Sequence, residues 1–326
     1  MSKIFLVFQA IFLCVLAVVF FFYMRTKDSF GSTYVVAPVT ATTTLPVSAG
    51  DLPLINPGVT ANIGKHYIIN FKPLEDEFKG IQASYPEKTY AYFVYLNNDA
   101  WIGINESDLF NAASTVKVPL AMSIMKMVEN GQLSLSQSYT LGQLDLDSNF
   151  GTLYKVGSDN SFTLEELMQI MLENSDNTAM NAIKKAANLV GVSNPFSEVY
   201  DFMGWGGEDF DATPNYNEIN LKTLSNMFIA LYNATYDDPQ DSDLILHYLD
   251  DSVFSSGIPA GVPQDISVAD KIGVNDTNKT YSDCGIVYVP DRNFLICLGS
   301  VGADQKTADT FMAEMTKAAY DYVMNN

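Results

Sequence analysis

Serine and lysine stand three residues apart in the run Phe-Asn-Ala-Ala-Ser-Thr-Val-Lys-Val-Pro-Leu, residues 110–120 of a 326-residue chain. Where such a run becomes helical, Ser114 and Lys117 lie one turn apart on a shared face, and a hydroxyl comes within reach of an amine. A serine hydroxyl is a weak nucleophile and needs a base beside it, and a lysine whose ammonium form is disfavoured can be that base. The chemistry implied is attack by Ser114 on a carbonyl while Lys117 takes the proton. The same spacing recurs at Ser123 and Lys126, so the pattern alone does not choose between the two. The chain has only two histidines, His66 and His247, neither in a recognisable catalytic setting, which makes lysine the better base for any serine chemistry.

Two later stretches carry groups of the same kind. Ser175-Asp176-Asn177 falls between two helical patterns, where these residue types also serve as helix N-caps. Lys271-Ile272-Gly273 falls in a β-rich run, where a lysine also protects an edge strand from aggregation.

The elements that must position these groups follow from periodicity. A short helix is expected over Leu74–Ala83, then a hairpin of Thr89–Leu96 and Ala100–Ile104 about an Asn97-Asn98-Asp99 turn. After Ser114 the apolar residues Val118, Ala121, Met122, Met125 and Val128 recur at helical spacing, and Gly131 closes the run. Thr163-Leu-Glu-Glu166 is a capping-box pattern opening a helix to about Glu173. Further helices are expected after Asn177 and over Leu221–Tyr232. Strands return at Ile266–Val274, Gly285–Val289 and Phe294–Ser300, and a last amphipathic helix carries Ala308, Phe311, Met312, Met315, Ala319 and Tyr322. A two-stranded hairpin is too small to be stable alone, so the early strands are expected to join the late ones in one antiparallel sheet.

Composition removes several function classes. With 18 basic and 38 acidic residues, net charge −20, the chain lacks the clustered cations that neutralise phosphates, which argues against nucleic acid. Its cysteines, Cys14, Cys284 and Cys297, show no Cys/His spacing suited to zinc, so no metal and no other cofactor is expected. Residues 4–24 are apolar apart from Gln9 and are flanked by Lys3, Arg25 and Lys27. Twenty-one residues at about 1.5 Å each reach roughly 31 Å, enough for a membrane span. No small-x-small cleavage site follows closely, which favours an uncleaved anchor over a signal peptide. The expected organisation is an anchor at 1–27, a Thr/Pro/Val-rich linker at 28–64 and a domain at 65–326.

Phe-x-x-Ala-Ser-Thr-Val-Lys, Glu-Asn-Ser-Asp-Asn-Thr-Ala-Met-Asn, and Asp-Lys-Ile-Gly followed by Asp-Cys-Gly-Ile-Val occur in this order between roughly Thr89 and Met324. In these motifs the chain resembles the class A β-lactamases and the penicillin-binding proteins related to them. The resemblance implies an α+β fold: a five-stranded antiparallel sheet flanked by helices, with an all-helical lobe, about 111–235, inserted between strands 2 and 3. It also sets Ser123 aside, because that serine would lie inside the helix rather than at its start.

Carried over residue by residue, the resemblance makes Ser114 the nucleophile and Lys117 its proton acceptor, with Lys271 lowering the pKa of Lys117. It makes Ser175 the proton donor to the leaving nitrogen and Asn177 the holder of the substrate's amide side chain. Gly273 would let the substrate backbone approach the strand, and the N–H groups of Ser114 and Val274 would form an oxyanion hole. The implied substrate is a β-lactam or the D-alanyl end of a cell-wall stem peptide, met on the outer side of the membrane that holds the anchor. The alternative is an anchored penicillin-binding or sensor protein of the same fold that turns over slowly or not at all.

Three departures bear on that choice. No Glu-x-x-Leu-Asn, the family's setting for the deacylating glutamate, follows Phe202, and the segment offers only Glu208 and Glu218. Ile272 stands where a threonine or serine is usual, and Cys284 where an arginine is common. Cys284 and Cys297 lie almost symmetrically about the Pro290-Asp291 turn, as a disulfide in an extracellular domain or as two packed thiols.

Overall fold

A computed structural model describes residues 52–56, 67–204 and 218–326 of the chain. The apolar run at 4–24, most of the linker and Glu208 lie outside the described residues. Among the described residues, no helix is long and apolar enough to cross a membrane.

Helix α1, Lys72–Gln82, starts with proline in its first turn, where no intrahelical N–H is needed. Strands β1, Lys88–Tyr95, and β2, Ala100–Ile104, form the expected hairpin. The two-residue strand β3, Phe110–Asn111, leads into a 3-10 turn, Ala113–Val116, and then helix α2, Lys117–Glu129. Strands β4, Ser138–Thr140, and β5, Ser161–Thr163, pair as a ribbon ahead of helices α3, Leu164–Glu173, α4, Asn177–Leu189, and α5, Ser197–Phe202. Strand β6, Glu218–Ile219, returns to pair with β3, and helices α6, Leu221–Tyr232, and α7, Pro239–Asp250, follow. The chain closes with β7, Val268–Asn275, β8, Thr280–Val287, β9, Phe294–Val301, and helix α8, Gln305–Asn325.

The five long strands form one antiparallel sheet in the order β2-β1-β9-β8-β7. The early hairpin therefore joins the late strands, and the helical segments between β2 and β7 form the inserted lobe. Both faces are covered. Tyr90, Tyr92, Val94, Ala269, Ile286 and Leu295 pack with the helical lobe, and Ala91, Phe93, Phe294, Ile296 and Leu298 pack with α1 and α8 residues such as Phe78 and Phe311. Strand alternation then sorts the late motif: Lys271 and Gly273 share the lobe face with Ala269, while Asp270, Ile272 and Val274 fall on the α8 face. Helix α2 is buried nearly all round, as expected for a helix apolar on every side, and Lys117 at its head is 1% exposed.

Three expectations are corrected. The strand expected over Gly285–Val289 begins at Thr280 and ends at Val287; its polar first half is buried because both sides of the sheet are covered. Helix α7, not expected from periodicity, is started by Asp238, whose side chain accepts the N–H of Asp241, and by Pro239. Residues 52–56, counted with the linker by composition, dock on the domain instead: Leu54 and Ile55 are buried, Leu54 N–H donates to Asp243 at 3.2 Å, and Leu54 O accepts from Tyr288. Cys284 and Cys297 face each other in register and are joined by a disulfide.

Candidate active site

Among the described residues strand β7 is an edge of the sheet, and the 3-10 turn carrying Ser114 lies against it. A Cβ on Gly273 would fall 2.4 Å from Ala112 O and 3.2 Å from the Thr115 methyl, so the glycine is required by the protein's own packing at this seam, ahead of any substrate. The turn is started by Ala113 at φ +48, a left-handed conformation that a non-glycine residue adopts at a cost of about 1–3 kcal/mol. It delivers Ser114 and Lys117 to one place, with Lys117 Nζ 3.1 Å from Ser114 Oγ.

A second backbone outlier completes the cluster. Ser175 has φ +54 and is fully buried. That turn aims both its carbonyl, at 2.5 Å, and its Oγ, at 3.2 Å, at Lys117 Nζ. Asn177, the first residue of α4, adds its Oδ1 at 2.9 Å. Asp176 holds the turn in place. One carboxylate oxygen caps α4 by accepting Ala179 N–H at 3.0 Å, and the other accepts Thr152 and Leu153 N–H at 2.7 and 2.8 Å. Gly151, at φ +90, lets that loop approach, since a Cβ there would sit 2.1 Å from Asp176 Oδ2. The capping role expected of the Ser-Asp-Asn stretch and its possible role in chemistry thus fall on different residues, with Asp176 as the cap and Ser175 and Asn177 facing the amine.

Burial and, after it, repulsion from Lys271 push the Lys117 amine down to about 7, against the opposing charges of Asp176 and Asp147. The neutral amine is therefore well populated near pH 7. An ammonium has three protons for the four acceptors around it, whereas the amine has two and keeps a lone pair able to accept the Ser114 hydroxyl proton. The arrangement can serve as a nucleophile and base.

Lys271, 1% exposed, is also depressed by burial, to about 8, with Asp270 and Asp283 holding it up. Its Nζ has no hydrogen-bond partner among the described residues. The Phe254 ring lies 5.6 Å away, Phe150 lies 6.0 Å from Lys117 Nζ, and the two rings are 5.9 Å apart, so an aromatic pair covers both cations. Neither phenylalanine was expected from the sequence: each lies in an aperiodic stretch with no motif around it. Val274 is half-buried opposite Tyr281 near the end of β7. Ile272 faces α8 by strand alternation, away from Lys271. Ser282, opposite Gly273 on the lobe face, was also missed.

Glu218 is exposed and lies opposite Asn111 in the β3–β6 pair. Among the described residues, no glutamate hydrogen-bonds to Ser114, Lys117 or Ser175. The one trio of described carboxylates close enough to hold a metal, Glu129, Asp238 and Asp241, lies at the start of α7, where Glu129 accepts Asp238 N–H and Asp238 accepts Asp241 N–H.

The family model described as "Beta-lactamase enzyme family" matches residues 73–323. Beta-lactamase 3 of Bacillus cereus is 25% identical over 256 residues, 74% of this chain and 78% of that protein. The imipenem-hydrolyzing beta-lactamase of Enterobacter cloacae is 24% identical over 272 residues, 76% of this chain and 88% of that protein. Among solved structures, PBP-A superposes with a TM-score of 0.70 at 19% identity, covering 81% of this chain and all of that one. A mutant of PBP-A, solved as an acyl-enzyme complex with penicillin G, superposes with a TM-score of 0.69 at 19% identity, covering 78% of this chain and 97% of that one.

Proposed function

Because the chain belongs to the beta-lactamase enzyme family, we propose that it attacks β-lactams through an acyl-serine intermediate. The observation that carries this reading is the convergence of Ser114 Oγ, both oxygens of Ser175 and Asn177 Oδ1 on one buried, pKa-depressed amine. Ser114 Oγ bonds to the lactam carbonyl carbon as neutral Lys117 takes the hydroxyl proton. Collapse of the tetrahedral intermediate breaks the ring C–N bond, and the proton passes from Lys117 through the Ser175 hydroxyl to the leaving nitrogen. The backbone N–H groups of Ser114 and Val274 stabilise the developing oxyanion, about 3 kcal/mol for each such donor. Asn177 orients the substrate's amide side chain, Gly273 keeps the strand edge open to it, and Lys271 takes its carboxylate.

Deacylation is the half of this cycle in which the chain departs from the family's pattern. A water needs a base to attack the acyl carbonyl, and no Glu-x-x-Leu-Asn follows Phe202 in the sequence. That observation favours a second reading, in which a long-lived acyl-enzyme makes the protein a penicillin-binding or sensor protein, or a hydrolase of D-alanyl wall peptides. On either reading the apolar run at 4–24 tethers the domain to the outer side of a membrane.

Exposure of the purified full-length chain to a chromogenic cephalosporin and a fluorescent penicillin separates the outcomes. Fast colour change abolished in Ser114→Ala is the lactamase result. A persistent fluorescent adduct without turnover is the binding-protein result. Absence of both, with no effect of Ser114→Ala on wall-peptide hydrolysis, removes the catalytic proposal.

A further inference from the structure

Behind Lys271, on the α8 face of the sheet, two carboxyl groups are buried together. Asp270 is 1% exposed and Asp283 is fully buried. Asp270 opposes Gly285 and Asp283 opposes Ile272, so the two are diagonal neighbours on one face. Glycines make room for them: a Cβ on Gly285 would lie 2.6 Å from Asp270 Cβ, and one on Gly257, at φ +67, 2.5 Å from Asp283 Oδ2.

Their donors do not suffice for two carboxylates. Asp283 Oδ2 accepts Ile258 N–H at 2.8 Å, but among the described residues Asp270 Oδ2 and Asp283 Oδ1 are buried with no hydrogen-bond partner. The two carboxyls are diagonal neighbours on one face, and a hydrogen bond between them, which requires a proton on one of them, would supply the missing donor. Two unprotonated carboxylates side by side inside a covered sheet repel strongly, and a single bound proton removes both the repulsion and the missing donor.

We propose that Asp270 and Asp283 share one proton and, as one net negative charge behind β7, form a positioning pair that keeps Lys271 cationic for the substrate's carboxylate. Among the described residues Lys271 has no hydrogen-bonded counter-ion on its own face, and the charges that hold it up, Asp270 and Asp283, act through the strand. Burial pushes both carboxyls up, and because Ile258 N–H donates to Asp283, the negative charge is better held there and the proton on Asp270. The other charges facing the pair are Asp250 at the end of α7, which raises Asp270, and Asp309 on α8, which raises Asp283. Across the sheet face Lys271, and after it Lys117, are the cations the pair serves. Asp270 also borders a cavity of about 650 Å³ lined by Asp250, Ser252, Phe254 and Ser267, which supplies a route for proton exchange.

The assignment of Lys271 to a substrate carboxylate rests on the proposed function, so the test has arms that do not use activity. In the full-length chain, infrared difference spectra at neutral pH should contain the C=O stretch of a buried protonated carboxyl, lost in Asp270→Asn and in Asp283→Asn. Each single variant keeps one negative charge, so the titration of Lys271 followed by ¹³C NMR should stay at its wild-type midpoint. The double variant keeps none, and the midpoint should fall by at least about one pH unit, with acylation by a carboxylated penicillin at pH 8 falling about tenfold. Absence of the carboxyl band, an unmoved Lys271 titration in the double variant, or single variants that shift as far as the double would each overturn the proposal. If the double variant fails to fold, the band and the single-variant titrations still decide. If wild type forms no acyl-enzyme, the functional proposal fails while the infrared and NMR arms still test the pair.

Discussion

Two lysines are buried to the same degree in this molecule, and their surroundings are opposite. Lys117 is ringed by four neutral oxygen acceptors within 3.2 Å, whereas Lys271 Nζ has none among the described residues. A lysine surrounded by neutral acceptors and repelled by a nearby cation can give up its proton without losing its place, as a base must. A lysine with unused donors and a negative pair behind it stays charged and open to an incoming anion. Equal burial therefore yields two different tools, and hydrogen-bond supply distinguishes them.

The comparison breaks most visibly at Lys117. Lys117→Met should lower the second-order rate of acylation by about a thousandfold, the loss expected for a removed general base, measured by labelling with a fluorescent penicillin. The same change should stabilise the fold by about 2 kcal/mol near pH 6 in denaturant unfolding, because a burial penalty disappears. The native amine titrates near 7 against 10.5 for a lysine free in water, so between these values the unfolded chain binds more protons. The gap between variant and wild type should accordingly be widest below pH 7 and close as the pH rises towards 10.

Lys271→Met should act on recognition. Acylation by carboxylated β-lactams should fall about 50-fold through KM, the worth of one charged hydrogen bond, and lose much of its dependence on ionic strength. Asp176→Ala removes a helix cap and the acceptor of two loop amides, and should cost about 3 kcal/mol of stability by denaturant midpoint. The smallest effect is the shape of the pH profile. Acylation should rise as Lys117 loses its proton near 7 and fall as Lys271 loses its own near 8, a narrow bell. Lys271→Met should remove the falling limb and keep the rising one.

Much of this contrast was legible in the sequence at the level of which residues meet. Ser114, Lys117, Ser175, Asn177 and Lys271 are tied to element junctions by local signals: a change of period at Ser114, cap chemistry at Asp176, a β-rich run at Lys271. The register of the sheet and the two aromatic covers were not legible. Phe150 and Phe254 come from aperiodic loops whose placement is set by Asp176 and by Val253 N–H bonding to Glu173 O, contacts that span the lobe. The start of β8 was missed because Ser282 and Asp283 look like a turn; only a covered sheet and a neighbour such as Asp270 make that stretch a strand. Gly273 was expected to admit substrate, but its first duty is to admit Ala112 O, a contact 161 residues away in sequence that no local pattern encodes.

The central claim, that Ser114 is acylated with Lys117 as its base, is tested most directly by the intact mass of the full-length chain after brief exposure to benzylpenicillin, followed by peptide mapping. The account predicts a mass increase of one whole penicillin, because ring opening expels nothing, located on Ser114 and absent at the same time point in Lys117→Met. A wild-type chain that gains no mass and hydrolyses no penicillin, or an adduct mapped to another residue such as Ser123, would contradict it.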